Sequence, residues 1–207
     1  MTPFWKSRAG ENIPQMDRRE AWQEVARRVG GTFVEGKRKS QDRVALEHGH
    51  RTIRLDTYTV QTGQMSVTIT RVWAFFVGRA DLKLVVRKRN FFDTILENLG
   101  FGGIAPRNRE LARRYVVKGK PERRLRSLIT AGLTAAILAQ SSFKLEVKAA
   151  PRKNRKRMGP HTRQVAMHIT GVIKDPDRLA GMFTVVREML DALEGIGVAA
   201  QEADSGG

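Results

Sequence analysis

The sequence predicts an α+β protein: an antiparallel sheet, made of a meander plus a C-terminal hairpin, with three or four helices packed on it. Three observations carry that prediction. Short segments alternating apolar and polar residues follow one another from residue 32 to residue 87, with turn residues between them. Two further alternating segments, Phe143–Ala149 and Val165–Thr170, flank one connection and suit a hairpin. Between Leu179 and Leu193 the apolar residues recur at the 3.6 period of a helix.

Taken in order, the first fifteen residues have no periodicity and read as a flexible arm. Asp17 opens a helix in which Ala21, Trp22, Val25, Ala26 and Val29 share a face, and Gly30-Gly31 stops it. Thr32 to Val34, Val44 to Leu46 and Arg51 to Val60 are β-favouring, with Gly49 in a tight turn between the last two. Met65, Val67 and Ile69 alternate with Ser66, Thr68 and Thr70. Val72 to Val77 is continuously apolar and reads as a strand buried on both faces. Leu82, Leu84 and Val86 alternate with Lys83 and Arg87.

Asn90 can cap a short helix holding Phe91, Phe92, Ile95, Leu96 and Leu99, after which residues 100–110 read as a loop. Tyr115 to Val117 is a strand candidate. Pro121 stands at the start of one helix whose apolar face runs from Leu125 to Ile137. The stretch from Pro151 to Pro160 reads as a long basic loop tipping the hairpin. In the last helix Asp175 is the cap and Pro176 takes the first helical position. Residues 16–197 thus read as a single α+β domain, whose order also fits two similar strand-then-helix halves within it. Residues 198–207 are small and polar and read as a disordered tail.

No run reaches the roughly 18 apolar residues of a spanning helix. The N-terminus lacks the apolar core of a secretory signal. The chain has no cysteine, which excludes disulfides, thiolate metal sites and cysteine nucleophiles and fits a reducing compartment. The expected location is the cytoplasm.

Motifs that could carry chemistry fail on context. Ser141-x-x-Lys144 enters a strand, so its two side chains would point to opposite faces, whereas the catalytic arrangement needs a helix turn. Gly100-Phe-Gly-Gly103 follows a helix instead of opening one, unlike a phosphate-binding loop. His48-Gly-His50 beside Glu47 reads as a hairpin turn, with His161 and His168 remote in sequence. Asp175 and Asp177 read as helix capping, and Asp93 with Glu97 as a solvated helix face. Trp73, Phe75 and Phe76 beside Arg71 and Arg79 suggest a single-strand-binding face, an idea outweighed by the apparent burial of their strand. No enzyme, no metal and no cofactor is expected.

Charge supplies the functional expectation. The net charge is +17, from 38 Lys and Arg against 21 Asp and Glu. Residues 61–160 hold 22 of those cations against 6 carboxylates, whereas residues 161–207 are net acidic. The densest cluster is Arg152, Lys153, Arg155, Lys156 and Arg157, and Arg87, Lys88 and Arg89 form a second. Arg107, Arg109, Arg113, Arg114, Arg123, Arg124 and Arg126 extend the field. Polyanions reward such clusters because each neutralised phosphate releases counterions. The expected function is therefore non-enzymatic binding of an anionic partner, nucleic-acid backbone first, without sequence specificity. The alternative is a protein–protein interaction or scaffold protein of unknown role, with an anionic membrane surface as one candidate setting.

From Leu82 to Val198 the pattern also resembles a family of bacterial α+β proteins, a domain of unknown function. The residues carrying the resemblance are Leu99-Gly100, Arg114-Tyr115-Val116-Val117, Pro121-Glu122, and Gly171-Val-Ile-Lys-Asp175-Pro-Asp-Arg178-Leu179 ahead of a Leu-rich helix. The resemblance implies a bacterial α+β fold and carries no catalytic residue across. The basic stretch at 151–160 stands where that family has a short turn.

Overall fold

A computed structural model describes residues 16–36, 41–78, 80–89, 104 and 106–199. Eight strands form one antiparallel sheet in the order β1-β2-β3-β4-β8-β7-β5-β6. The strands are β1 (Thr32–Val34), β2 (Arg43–His48), β3 (Arg51–Thr62), β4 (Met65–Val77), β5 (Lys83–Lys88), β6 (Tyr115–Lys120), β7 (Lys144–Ala149) and β8 (Thr162–Thr170). Strands β1–β4 form a meander, but its expected continuation into the strand at 82–87 does not occur, since β5 does not pair with β4. The β7–β8 hairpin inserts between β4 and β5 and joins the two halves into one sheet.

Six helices occur among the described residues: α1 (Arg18–Val29), α2 (Arg109–Arg114), α3 (Glu122–Leu128), α4 (Ala131–Leu138), α5 (Arg152–Met158) and α6 (Pro176–Gly195). Helix α6 lies across β3, β4 and β8, and α1 and α4 pack against it. Its apolar stripe is wholly buried, from Leu179 through Phe183 and Val186 to Leu193. Trp22 of α1 is fully buried and donates its indole N–H to the Ile173 carbonyl at 3.2 Å. On the sheet, Ile53, Leu55, Val72, Ala74, Val165, Met167, Leu145, Val147, Leu84 and Val86 meet these helices in one core.

Local chemistry explains the boundaries. Asp17 and Glu20 form a reciprocal capping box at the start of α1, and Gly30 ends it in the left-handed region. The Asp175 carboxylate accepts from the Asp177 and Arg178 amides at the start of α6.

Several sequence expectations are corrected. The helix read from Pro121 to Ile137 is two helices, because the Thr130 side chain accepts from the Leu133 amide and starts a new one. The segment read as a loop at 100–110 runs into α2 at Arg109, capped by Asn108, whose carboxamide oxygen accepts from the Leu111 amide at 2.9 Å. The basic loop is mostly the helix α5: straight-chain Arg, Lys and Met are good helix formers, and cations at its C-terminal end complement the dipole. Val72–Val77 is not buried on both faces, since Val72, Ala74 and Phe76 enter the core while Trp73 and Phe75 stay half-exposed on the other side. Val198 and Ala199, assigned to the tail by sequence, are buried, and Ala199 bridges to Gly78. The turn at Gly197 (φ 68°) brings them back onto the body. The arm at 1–15, the helix from Asn90 to Leu99 and residues 200–207 lie outside the described residues.

Candidate anion-binding face

Because strand side chains alternate, the residues between the core positions share the opposite face of the sheet. Strand register lines them up in rows. One row runs Asp56, Arg71, His168, Lys144, Arg87 across β3, β4, β8, β7 and β5. The next runs Arg54, Trp73, Ala166, Glu146, Val85, Lys118. Phe75, Gln164 and Lys148 form a third. Cations outnumber carboxylates in these rows.

Two anchored carboxylates organise the face. Asp56 accepts from Arg71 Nε and Nη2 at 2.9 and 2.7 Å and from Trp73 Nε1 at 2.8 Å. The Arg71 guanidinium lies over the Tyr58 and Trp73 rings, 5.1 and 4.8 Å from their centroids, so it is held in place from three sides. Glu146 is buried between Lys144 Nζ at 2.8 Å, Lys148 Nζ and His168 Nε2 at 3.3 Å. The His168 contact is an ion-pair distance without hydrogen-bond alignment. Tyr58 Oη and His168 Nδ1, 3.1 Å apart, link the two clusters. His168, followed by Lys144 and Lys148, holds the Glu146 carboxyl well below the usual carboxylate range, although burial pushes the other way. Glu146 is therefore an anion at neutral pH that fixes two lysines whose side chains remain about half exposed, 52% and 51%.

A groove of about 700 Å³ follows β7 and β8 along this face. Arg71, Lys144, Lys148, His168 and Arg178 supply its positive lining, and Tyr58, Ile69, Phe143 and Pro151 its apolar walls. At the end marked by Pro151 the chain enters α5. There Arg152, Lys153, Lys156 and Arg157 are exposed and make no ion pair with any described carboxylate. Arg155 differs: it is half-buried and donates its Nε–H to the Ala150 backbone carbonyl oxygen at 3.0 Å, which ties the helix to the end of β7.

The second predicted cluster stands elsewhere. Arg87 pairs in register with Lys144, at the opposite end of β7 from α5. Five residues of strand separate the two, roughly 17 Å. Lys88 is exposed, whereas Arg89 is half-buried and donates Nη2 to the Ala112 carbonyl at 2.9 Å. The two clusters are thus not one patch; the Lys144–Lys148 groove connects them. The arginines of α2 and α3 belong to the helix-bearing side, where Leu111 and Leu125 enter the core. His48 Nε2 lies 2.6 Å from Asp191 Oδ1 of α6, joining the β2–β3 hairpin to that helix.

Sequence reasoning missed Asp56, Tyr58, Arg71, Glu146 and His168 as a constellation. The alternation of β7 and β8 did put Lys144, Glu146, Lys148 and His168 on polar faces. The pairing of β8 with β4, which brings Arg71 to His168, has no signal in a single sequence.

No family model matches the chain, and no curated protein matches it. Among solved structures, the crystal structure of the mycobacterial trehalose monomycolate transport factor A, TtfA, is similar over 89% of this chain and 98% of that one. The identity is 8% and the TM-score 0.48. A likeness of that size carries no argument.

Proposed function

We propose that this chain is a non-enzymatic binding protein for nucleic-acid backbone, working in the cytoplasm without sequence specificity. The observation that carries the reading is the exposed cationic helix α5, standing at the end of a groove lined by Lys144 and Lys148, which remain about half exposed although both pair with Glu146. Helix and groove together offer a strip of charge along which successive phosphates can exchange counterions for side chains. Part-exposed Phe75, in register with Gln164 and Lys148, offers a ring against which unpaired bases can stack and favours single strands over duplexes, whereas Arg54 and Arg71 lie over the Trp73 ring. Kinship of residues 82–198 with the bacterial α+β family is part of this proposal and rests on sequence pattern.

Binding of the full chain to short single- and double-stranded DNA and RNA across a salt series tests it. Support is a steep linear fall of log affinity with log salt, and a flatter line when Lys144 and Lys148 are both changed to Ser. Absence of binding at low salt overturns it and leaves a protein partner as the leading reading. Among the described residues no helix is long and apolar enough to cross a membrane.

A further inference from the structure

The hairpin joining β3 and β4 extends beyond the sheet. Among the described residues no strand pairs with β3 past Leu55, or with β4 before Thr70, apart from the single bridge Ile69–Gly171. What extends is a two-stranded arm turning at Gly63, whose φ is 60°.

Two properties set the arm apart. From Thr57 to Thr70 it contains no charged residue, in a chain in which 29% of residues are charged. Exposed strand edges ordinarily carry charges that discourage pairing, and this one does not. The arm is also two-faced. The pairs Tyr58–Ile69 and Val60–Val67 put their side chains on one face together with Met65, while Thr57, Thr59, Gln61, Ser66 and Thr68 occupy the other. Met65 is 69% exposed and Val60 37%.

The apolar face of the arm continues the cationic face of the sheet: Tyr58 and Ile69 line the same groove as Arg71 and Lys144. A nucleic-acid backbone offers nothing to Met65 and Val60. A bilayer surface offers dense negative charge directly beside a hydrocarbon layer, which matches cations at the base of an apolar arm. The net charge of +17 fits an anionic surface and opposes close approach of a second copy. We propose that this face docks on an anionic lipid bilayer, with Val60 and Met65 entering the interface and the groove cations resting on the headgroups. The proposal goes beyond the nucleic-acid reading and does not depend on it.

The test is co-sedimentation of the full chain with vesicles of phosphatidylglycerol and phosphatidylcholine, beside phosphatidylcholine alone, at physiological salt. Wild type is expected to bind only the anionic vesicles. Val60→Ser/Met65→Ser, which alters side chains outside the core, is expected to bind them about tenfold less. Met65→Trp is expected to add emission that shifts to the blue on those vesicles. Three results overturn the proposal: no binding of wild type, equal binding by the double variant, or an unshifted Met65→Trp signal. Self-association of wild type that the double variant abolishes also overturns it, by assigning the arm to a second copy. Nucleic-acid affinity measured on the same samples separates the readings, because the double variant leaves every groove and α5 cation in place.

Discussion

Changing Glu146 to Gln removes one buried negative charge and keeps the side chain's size. Its effects on stability and on binding should have opposite signs. In the wild type the carboxylate is 8% exposed and faces Lys144, Lys148 and His168. Removing one partner of a fully buried ion pair costs about 3–5 kcal/mol. Here both lysines are half exposed and can rehydrate, so the expected loss is about 1–2 kcal/mol. Because the Glu146 carboxyl titrates below its usual range in the folded chain, its contribution is present above the unfolded value of about 4.3 and is lost as pH falls below it. Urea melts of wild type and Glu146→Gln should therefore differ most at neutral pH, and the difference should begin to shrink only as pH falls below about 4.3. Binding should move the other way. Freeing Lys144 and Lys148 adds up to two phosphate contacts, so affinity for a single-stranded oligonucleotide should rise about three- to tenfold, with a salt slope steeper by about 1. Fluorescence anisotropy across a salt series measures both quantities. A folded Glu146→Gln protein that binds no more tightly than wild type would refute the assignment of this groove to an anion.

The remaining predictions concern α5 and the core. Changing Arg152, Lys153, Lys156 and Arg157 together to Ser should flatten the single-strand salt slope by about 3, at about 0.7 per contact, with an unchanged melting temperature. Arg155→Ser should lower that temperature instead, because its guanidinium holds the Ala150 carbonyl, and should change the slope little. Gly119→Ala should cost about 1–3 kcal/mol in urea melts, since a methyl group there would stand 1.9 Å from the Lys83 carbonyl oxygen, a backbone atom that cannot move aside. Trp22→Ala should cost about 3–5 kcal/mol by the same measurement, from the lost volume of a fully buried ring.

The sequence by itself determined the elements whose signal is local. The 3.6 period of α6, the Asp17 and Asp175 caps, and the alternation in β3, β5, β7 and β8 all follow from neighbours a few residues apart, and they suffice for the α+β class. Local signals also misled. Proline, glycine and dense charge suggested a loop at 151–160, where the helix propensity of Arg, Lys and Met prevailed. Six consecutive apolar residues from Val72 suggested burial on both faces, although Trp73 and Phe75 border the polar face. Only the tertiary structure decided the site. Asp56, Tyr58, Arg71, Glu146 and His168 come from four strands, and the pairing of β4 with β8 that unites them spans about a hundred residues. The same pairing, stopping at Thr70, leaves the β3–β4 arm with no paired strand among the described residues beyond the single bridge Ile69–Gly171. Strand order depends on which faces and edges bury the most apolar surface together, a property of the whole chain that no window of sequence contains.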